Sequence, residues 1–225
     1  MIRCTVFDFD GTLVDSNHIK RESYYAVVED VLGGAAILDE LLAPGCAGDR
    51  YDVFRRFAER AGPAAGPDDA GARAAWAAEL ARRYTERCEE LIVTCEECPG
   101  AGTALRLLRA SGRTIYINSG TPEGDLVRII RRRSLDRLVD GGFGAPRSKE
   151  ENLRAIMTRE GVSANETVMI GDGEDDRMAA EAVGCPFIAA GPCGGAHVAP
   201  HLVPLADLSV LPDVVDRLGT APDVD

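Results

Sequence analysis

"VFDFDGTLVDS" (residues 6–16) decides how the rest of the chain is read. Val6, Phe7 and Phe9 form an apolar run, Asp8 and Asp10 stand at its end, and Gly11 breaks it. Side chains two apart on a strand point to the same side, so the pattern predicts that the two carboxylates face each other while the apolar residues enter a core. Acids that close repel. Either one stays protonated or a cation sits between them, and both outcomes are costly unless the arrangement has a use.

Working outward, the first ten residues read as a buried strand, and the same short apolar pattern returns at "RTIYIN" (113–118), "ETVMIGD" (166–172) and "CPFIAAG" (185–191). Helical patterns over 101–111, 123–133, 149–160 and 174–183 lie between or beside these runs. Strand and helix in alternation predict an α/β fold, a Rossmann-like parallel sheet flanked by helices. In such sheets reactive groups collect at the carboxyl ends of the strands, where Asp8, Asp10, Ser119 and Asp172 all stand.

Residues 15–95 break the alternation. They carry helical patterns at about 17–32, 50–61 and 69–92 and no convincing strand, so they read as an inserted all-helical domain, with 1–14 and 96–225 forming the sheet domain. "VDSNH" and "TCEECPG" are the expected hinges, Pro99 and Gly100 marking the return, and "AGPAAGPDDAG" (61–71) is expected to be a loop.

Each strand end offers a piece of chemistry. A carboxylate can attack phosphorus while a second protonates the leaving oxygen and later takes a proton from water, so two roles call for two acids, Asp8 and Asp10. Gly11 lets the backbone turn sharply and Thr12 is expected to tie that turn with its hydroxyl. Ser119 and Gly120 precede a helix and suit an anion, or else Thr121 simply caps that helix with Pro122 at its first position. Ser148 and Glu151 have capping-box spacing, which puts Lys149 in the first turn of a helix, where a cation opposes the helix dipole unless it has an anionic target. Asp172 follows a strand and a glycine, Gly171, and could join the first strand end in holding magnesium; Asp176 lies one turn into the next helix, and Asp175 reads as an acid that only favours a helix N-terminus.

The ordered set "DFDGT", "NSGTP", "PRSK" and "GDGEDD" resembles the haloacid dehalogenase superfamily, phosphatase branch, with a helical cap inserted after the first motif. The resemblance spans nearly the whole chain. It implies that Asp8 is the nucleophile and Asp10 the general acid and base, that Ser119 and Lys149 hold phosphoryl oxygens, and that Asp8, the main-chain carbonyl of Asp10 and Asp172 bind Mg²⁺ with Asp176 in or beside that shell. Dehalogenating and phosphonate-cleaving members lack the second acid, so Asp10 speaks against both; sugar-phosphate mutases keep it and are the nearest enzymatic rival, and a silent binding protein of the same fold is the rival from another class. "PGCAGDRYDVF" (44–54) takes the place of the family's specificity loop, where Arg50 or Tyr51 could touch the leaving group, although an exposed Arg starting a helix needs no such role; His18 near the first hinge has the same ambiguity.

Composition narrows the classes. With 225 residues, 45% of them hydrophobic, the chain can bury a sizeable core, and a formal net charge of −12 argues against general affinity for nucleic acid or an anionic membrane. No apolar stretch approaches the roughly 20 residues of a membrane helix, so a cytoplasmic protein is expected; the resemblance implies a small phosphorylated substrate, and a monomer or homodimer is expected. Seven cysteines without a regular framework fit reduced thiols; Cys95 and Cys98 form a CxxC with Cys88 upstream, but a second metal pair is missing, and Cys193, His197 and His201 read as loop and surface residues.

Overall fold

The computed structural model describes residues 1–43, 48–65, 67, 69–191 and 203–218. Residues 44–47 of the expected specificity loop, and Cys193, His197 and His201, lie outside them. Two compact units emerge: Met1–Asn17 with Ile92–Asp225, and His18–Leu91.

The first unit is built on a five-stranded parallel sheet: β1 (Cys4–Phe7), β2 (Thr114–Pro122), β3 (Gly141–Ala145), β4 (Thr167–Gly171) and β5 (Phe187–Ala189), in the order β3-β2-β1-β4-β5. β1 is central, with Cys4 paired to Thr114 on one side and Thr167 on the other, and all four of its residues are buried. That is why its sequence is a continuous apolar run: a parallel strand covered on both faces has no solvent side to keep polar. Helices α5 (Ala101–Ala110), α6 (Glu123–Arg132), α7 (Lys149–Glu160) and α8 (Glu174–Val183) follow the strands, and α9 (Leu211–Leu218) packs on α5. One face of the core gathers Cys4, Val6, Tyr116 and Met169 with Leu153 and Ile156 of α7 and Ala179 and Ala180 of α8.

β3 and α9 were not expected. Three of the five residues of β3 are glycines, which have poor strand propensity, and only pairing with β2 at the sheet edge makes this segment a strand. The same pairing draws β2 out to Pro122, with a shift of register between Asn118 and Pro122. Thr121 therefore lies in the strand rather than capping α6, and the N-cap is Pro122, which makes no side-chain cap bond.

Among its described residues the second unit holds helices and no strand: α1 (Asn17–Ala26), α2 (Gly34–Leu41), α3 (Arg50–Ala65) and α4 (Ala70–Thr94), the first and last of which run across its borders. The helix expected over 17–32 stops at Ala26, where the chain passes into turns with Val28 N–H donating to Tyr25 C=O and Val31 N–H to Val28 C=O, and a separate α2 starts after Gly33. The helix expected to end at 61 runs on to Ala65 across a kink at Gly62. Aromatic contacts bind the unit: Tyr24 packs on Phe54 and Tyr84 at 5.4 and 4.3 Å between ring centroids, and Phe57 on Trp76 at 5.8 Å. Among the described residues no helix is long and apolar enough to cross a membrane.

Candidate active site

β1 ends at Phe7, so Asp8 is the first residue beyond it, with its N–H still donating to Ile170 C=O at 2.8 Å. Past Asp8 the chain curls: Leu13 and Val14 N–H both return to Phe9 C=O, and Gly11 N–H donates to Val14 C=O. This curl sends the two aspartates to different company. The charge of Asp10 still acts on Asp8, as the sequence pattern predicts, but the groups hydrogen-bonded to the two carboxylates differ.

Asp8 joins Asp172 and Asp176, all three buried, with one carboxylate oxygen of each within 4.8 Å of the others. Asp172 stands directly after β4 and Asp176 in the first turn of α8. Lys149 Nζ lies 3.1 Å from Asp8, 2.6 Å from Asp176 and 3.0 Å from Asp175. Burial first, and Asp176 second, push the Asp8 carboxyl well above the usual carboxylate range, against the pull of Lys149 and with only a smaller push from Asp10. Burial likewise raises Asp172, which Asn17 and Thr12 moderate, and lifts Asp176 to about 7. Burial alone would lower the Lys149 ammonium, but Asp8, Asp176 and Asp175 together hold it well above its ordinary value. Asp175 is thus more than a helix-start acid.

Two glycines make room for this cluster. At Gly11 (φ 82°) a Cβ would fall 2.2 Å from both Asp172 Oδ2 and Asn17 Nδ2, and at Gly171 it would fall 2.4 Å from the Asp176 carboxylate. Three hard oxygen donors, buried and close together, fit a divalent cation of the magnesium or manganese type, whose charge would offset the cost of burying them ionised.

Asp10 is surrounded by hydroxyls instead. Ser16 donates to Oδ1 at 2.6 Å, and Thr121 and Ser119 donate to Oδ2 at 3.1 and 3.3 Å. Ser119 also accepts the Thr121 N–H at 3.1 Å. Gly120 beside it is exposed, with nothing within 4 Å of where a side chain would begin. Thr12 does not tie its own turn; its hydroxyl donates across to Asp172 at 3.3 Å, joining the first and fourth strand ends. The capping box at Ser148 and Glu151 forms as the spacing predicted, and it starts α7 at Lys149.

Sequence reasoning missed Ser16, whose only signal was a hydroxyl six residues after Asp10, and Asn17, which donates to Asp172 at 3.0 Å. Arg50 starts α3, donates to Thr85 at 2.8 Å and lies over the Tyr84 ring, while Tyr51 next to it is exposed. His18 is exposed on α1. Cys95 and Cys98 form no disulfide, and Cys88 is buried in the helical unit; none belongs to a metal-ligating group among the described residues.

Comparison with known proteins gives a consistent answer. A family model for haloacid dehalogenase-like hydrolases matches residues 2–184. A phosphoglycolate phosphatase of Cereibacter sphaeroides is 32% identical over 226 residues, covering 95% of this chain and 97% of its own length. One from Rhodospirillum rubrum is 30% identical over 197 residues, covering 84% and 79%. Among solved structures, a predicted phosphoglycolate phosphatase from Haemophilus somnus has a TM-score of 0.70 at 16% identity, covering 95% of this chain and 98% of that one. CbbY from Rhodobacter sphaeroides, in complex with phosphate, also has a TM-score of 0.70, at 18% identity with 94% and 96% covered. Identities that low show a shared fold alone, whereas the family match covers most of the sequence. The chain belongs to the haloacid dehalogenase-like hydrolase family and is a phosphoric monoester hydrolase of its phosphatase branch.

Proposed function

We propose that the chain is a Mg²⁺-dependent phosphatase of a small phosphorylated metabolite, phosphoglycolate or an ester like it, working through an aspartyl-phosphate on Asp8. The observation that carries this reading is the convergence of Asp8, Asp172 and Asp176 within 4.8 Å, with the Lys149 ammonium on two of them. The phosphoglycolate phosphatases that the chain resembles support the choice of ester.

In the proposed reaction an Asp8 oxygen attacks phosphorus, the bond from phosphorus to the ester oxygen breaks, and Asp10 gives that oxygen its proton. Asp10, now ionised, takes a proton from a water that attacks the same phosphorus, which releases inorganic phosphate and restores Asp8. The hydroxyls of Ser16, Thr121 and Ser119 suit both states of Asp10, since each can donate to the carboxylate and turn when it is protonated. Lys149, Ser119 and backbone N–H groups of Gly11, Thr12 and Gly120 would hold the phosphoryl oxygens. Mg²⁺, when bound by Asp8, the Asp10 carbonyl, Asp172 and Asp176, would neutralise charge between these carboxylates and the phosphoryl group. We read the helical unit as the cap, with Arg50 helping to choose the leaving group, and the enzyme as a cytoplasmic monomer or homodimer with no nucleic-acid or membrane partner.

A panel of phosphate esters containing phosphoglycolate, sugar phosphates and nucleotides, assayed for phosphate release with Mg²⁺ and with chelator, tests the proposal. Release that requires Mg²⁺ and disappears in Asp8→Asn is expected. An isomerised phosphosugar without free phosphate, formed only with a bisphosphate primer, would replace the hydrolase with a mutase.

A further inference from the structure

Behind Lys149 lies a buried amide pair that the reaction above does not use. Asn118 on β2 and Asn152 on α7 are both completely buried. Asn118 Nδ2 donates to the Lys149 main-chain carbonyl at 2.9 Å, and Asn152 Nδ2 donates to Asn118 Oδ1 at 3.0 Å and, at 3.5 Å, to the Gly144 carbonyl on β3. A carbonyl only accepts, so it fixes the polarity of the whole relay: Asn118 turns its nitrogen to Lys149 and its oxygen to Asn152, which must answer with nitrogen. Asn152 Oδ1 is then left buried without a partner. Two leucines, which match asparagine in branching and heavy-atom count, would carry no such orphaned acceptor, so stability by itself gives poor grounds for two amides at this place.

The position supplies a better one. Asn118 immediately precedes Ser119, and Lys149 is the first residue of α7. The capping box fixes where α7 begins, but its bonds stay within the helix; the amide relay ties that first turn to β2 and β3. A lysine has a flexible four-carbon stem, so its ammonium is only as well placed as the Cα from which it grows. We propose that Asn118 and Asn152 are positioning residues for phosphoryl transfer, docking the first turn of α7 on the sheet so that the Lys149 ammonium is held over Asp8 and Asp176. The inference rests on the proposed reading of Lys149 as a grip on the phosphoryl oxygens.

A double-mutant cycle with p-nitrophenyl phosphate and saturating Mg²⁺ tests it, with Asp8→Asn as the control for the underlying reading. In the wild-type background Asn118→Ala is expected to lower kcat roughly ten- to a hundredfold with little change in KM, the scale of effect that a misplaced group produces. In a Lys149→Ala background it is expected to cost less than about twofold, because the residue acts only through the lysine. An equal loss in both backgrounds overturns the proposal. Asn118→Leu combined with Asn152→Leu provides a second arm: melting as wild type with turnover lost supports the inference, while wild-type turnover, or failure to fold, overturns it. Equal turnover of wild type and Asp8→Asn would instead sink the phosphatase reading itself, so the two failures are told apart.

Discussion

Asp8 and Asp10 are two residues apart, yet they live in different chemical worlds. Asp8 has an ammonium and two further carboxylates around it, and burial first, then the charge of Asp176, raises its carboxyl against the pull of Lys149. Asp10 has three hydroxyl donors, which can reorient as its proton comes and goes. The comparison teaches how one short motif separates a nucleophile from an acid and base. A turn after Phe9 hands one carboxylate to the neighbours that β4, α7 and α8 supply, and the other to the hydroxyls of its own loop and of β2.

The strongest way to break this contrast is to neutralise each acid in turn. Asp8→Asn should lower phosphate release on the order of 10⁴-fold or more, as removal of a nucleophile does. Asp10→Asn should cost roughly 10²- to 10⁴-fold, and with a good leaving group such as p-nitrophenolate it should accumulate a phosphorylated protein visible by mass spectrometry. If both variants fail in the same way, with no phosphoprotein from Asp10→Asn, the division of labour is wrong. Next in size is the metal requirement. Chelation should abolish turnover reversibly, and Asp172→Asn should raise the Mg²⁺ concentration needed by about 10- to 100-fold, measured as the half-saturating Mg²⁺ level. In chelator the same Asp172→Asn variant should melt above wild type by ~2–4 °C per kcal/mol of relieved desolvation and repulsion, because the fold disfavours this carboxylate when charged.

The hydroxyl side can be tested more finely. Ser16→Ala removes a 2.6 Å donor from Asp10 at a fully buried site, and about 1–2 kcal/mol of stability together with a several-fold fall in kcat is expected. Thr121→Val, which removes the 3.1 Å donor with little change of shape, should do less. Smallest of all, Arg50→Ala should leave kcat for a favoured ester within a few-fold and change mainly the ranking of esters in the panel, since Thr85 and the Tyr84 ring, which it contacts, belong to the helical unit. An unchanged ranking would remove Arg50 from the specificity assignment.

Much of the fold was legible because burial on both faces forces a recognisable run. Cys4–Phe7, Thr167–Gly171 and Phe187–Ala189 all fall inside stretches whose apolarity announced them. β3 escaped because Gly141–Ala145 is a strand only by pairing with its neighbour, a non-local cause that no local pattern displays. In the site, Lys149 was legible through its capping box, a bond pattern contained in four consecutive residues. Ser16, Asn17, Thr121 and the Asn118–Asn152 pair were not read as site residues, because hydroxyls and amides are common everywhere and acquire a role only from what faces them.

By itself the sequence determined that carboxylates and a lysine would stand where strands end and helices begin, since those positions follow from hydrophobic period and capping, both local. Only the tertiary structure decided which carboxylates meet. Asp176, 168 positions beyond Asp8 by numbering, outranks Asp10 as its like-charged neighbour, because electrostatics depends on separation through space and the packing of α7 and α8 against β1 and β4 sets that separation.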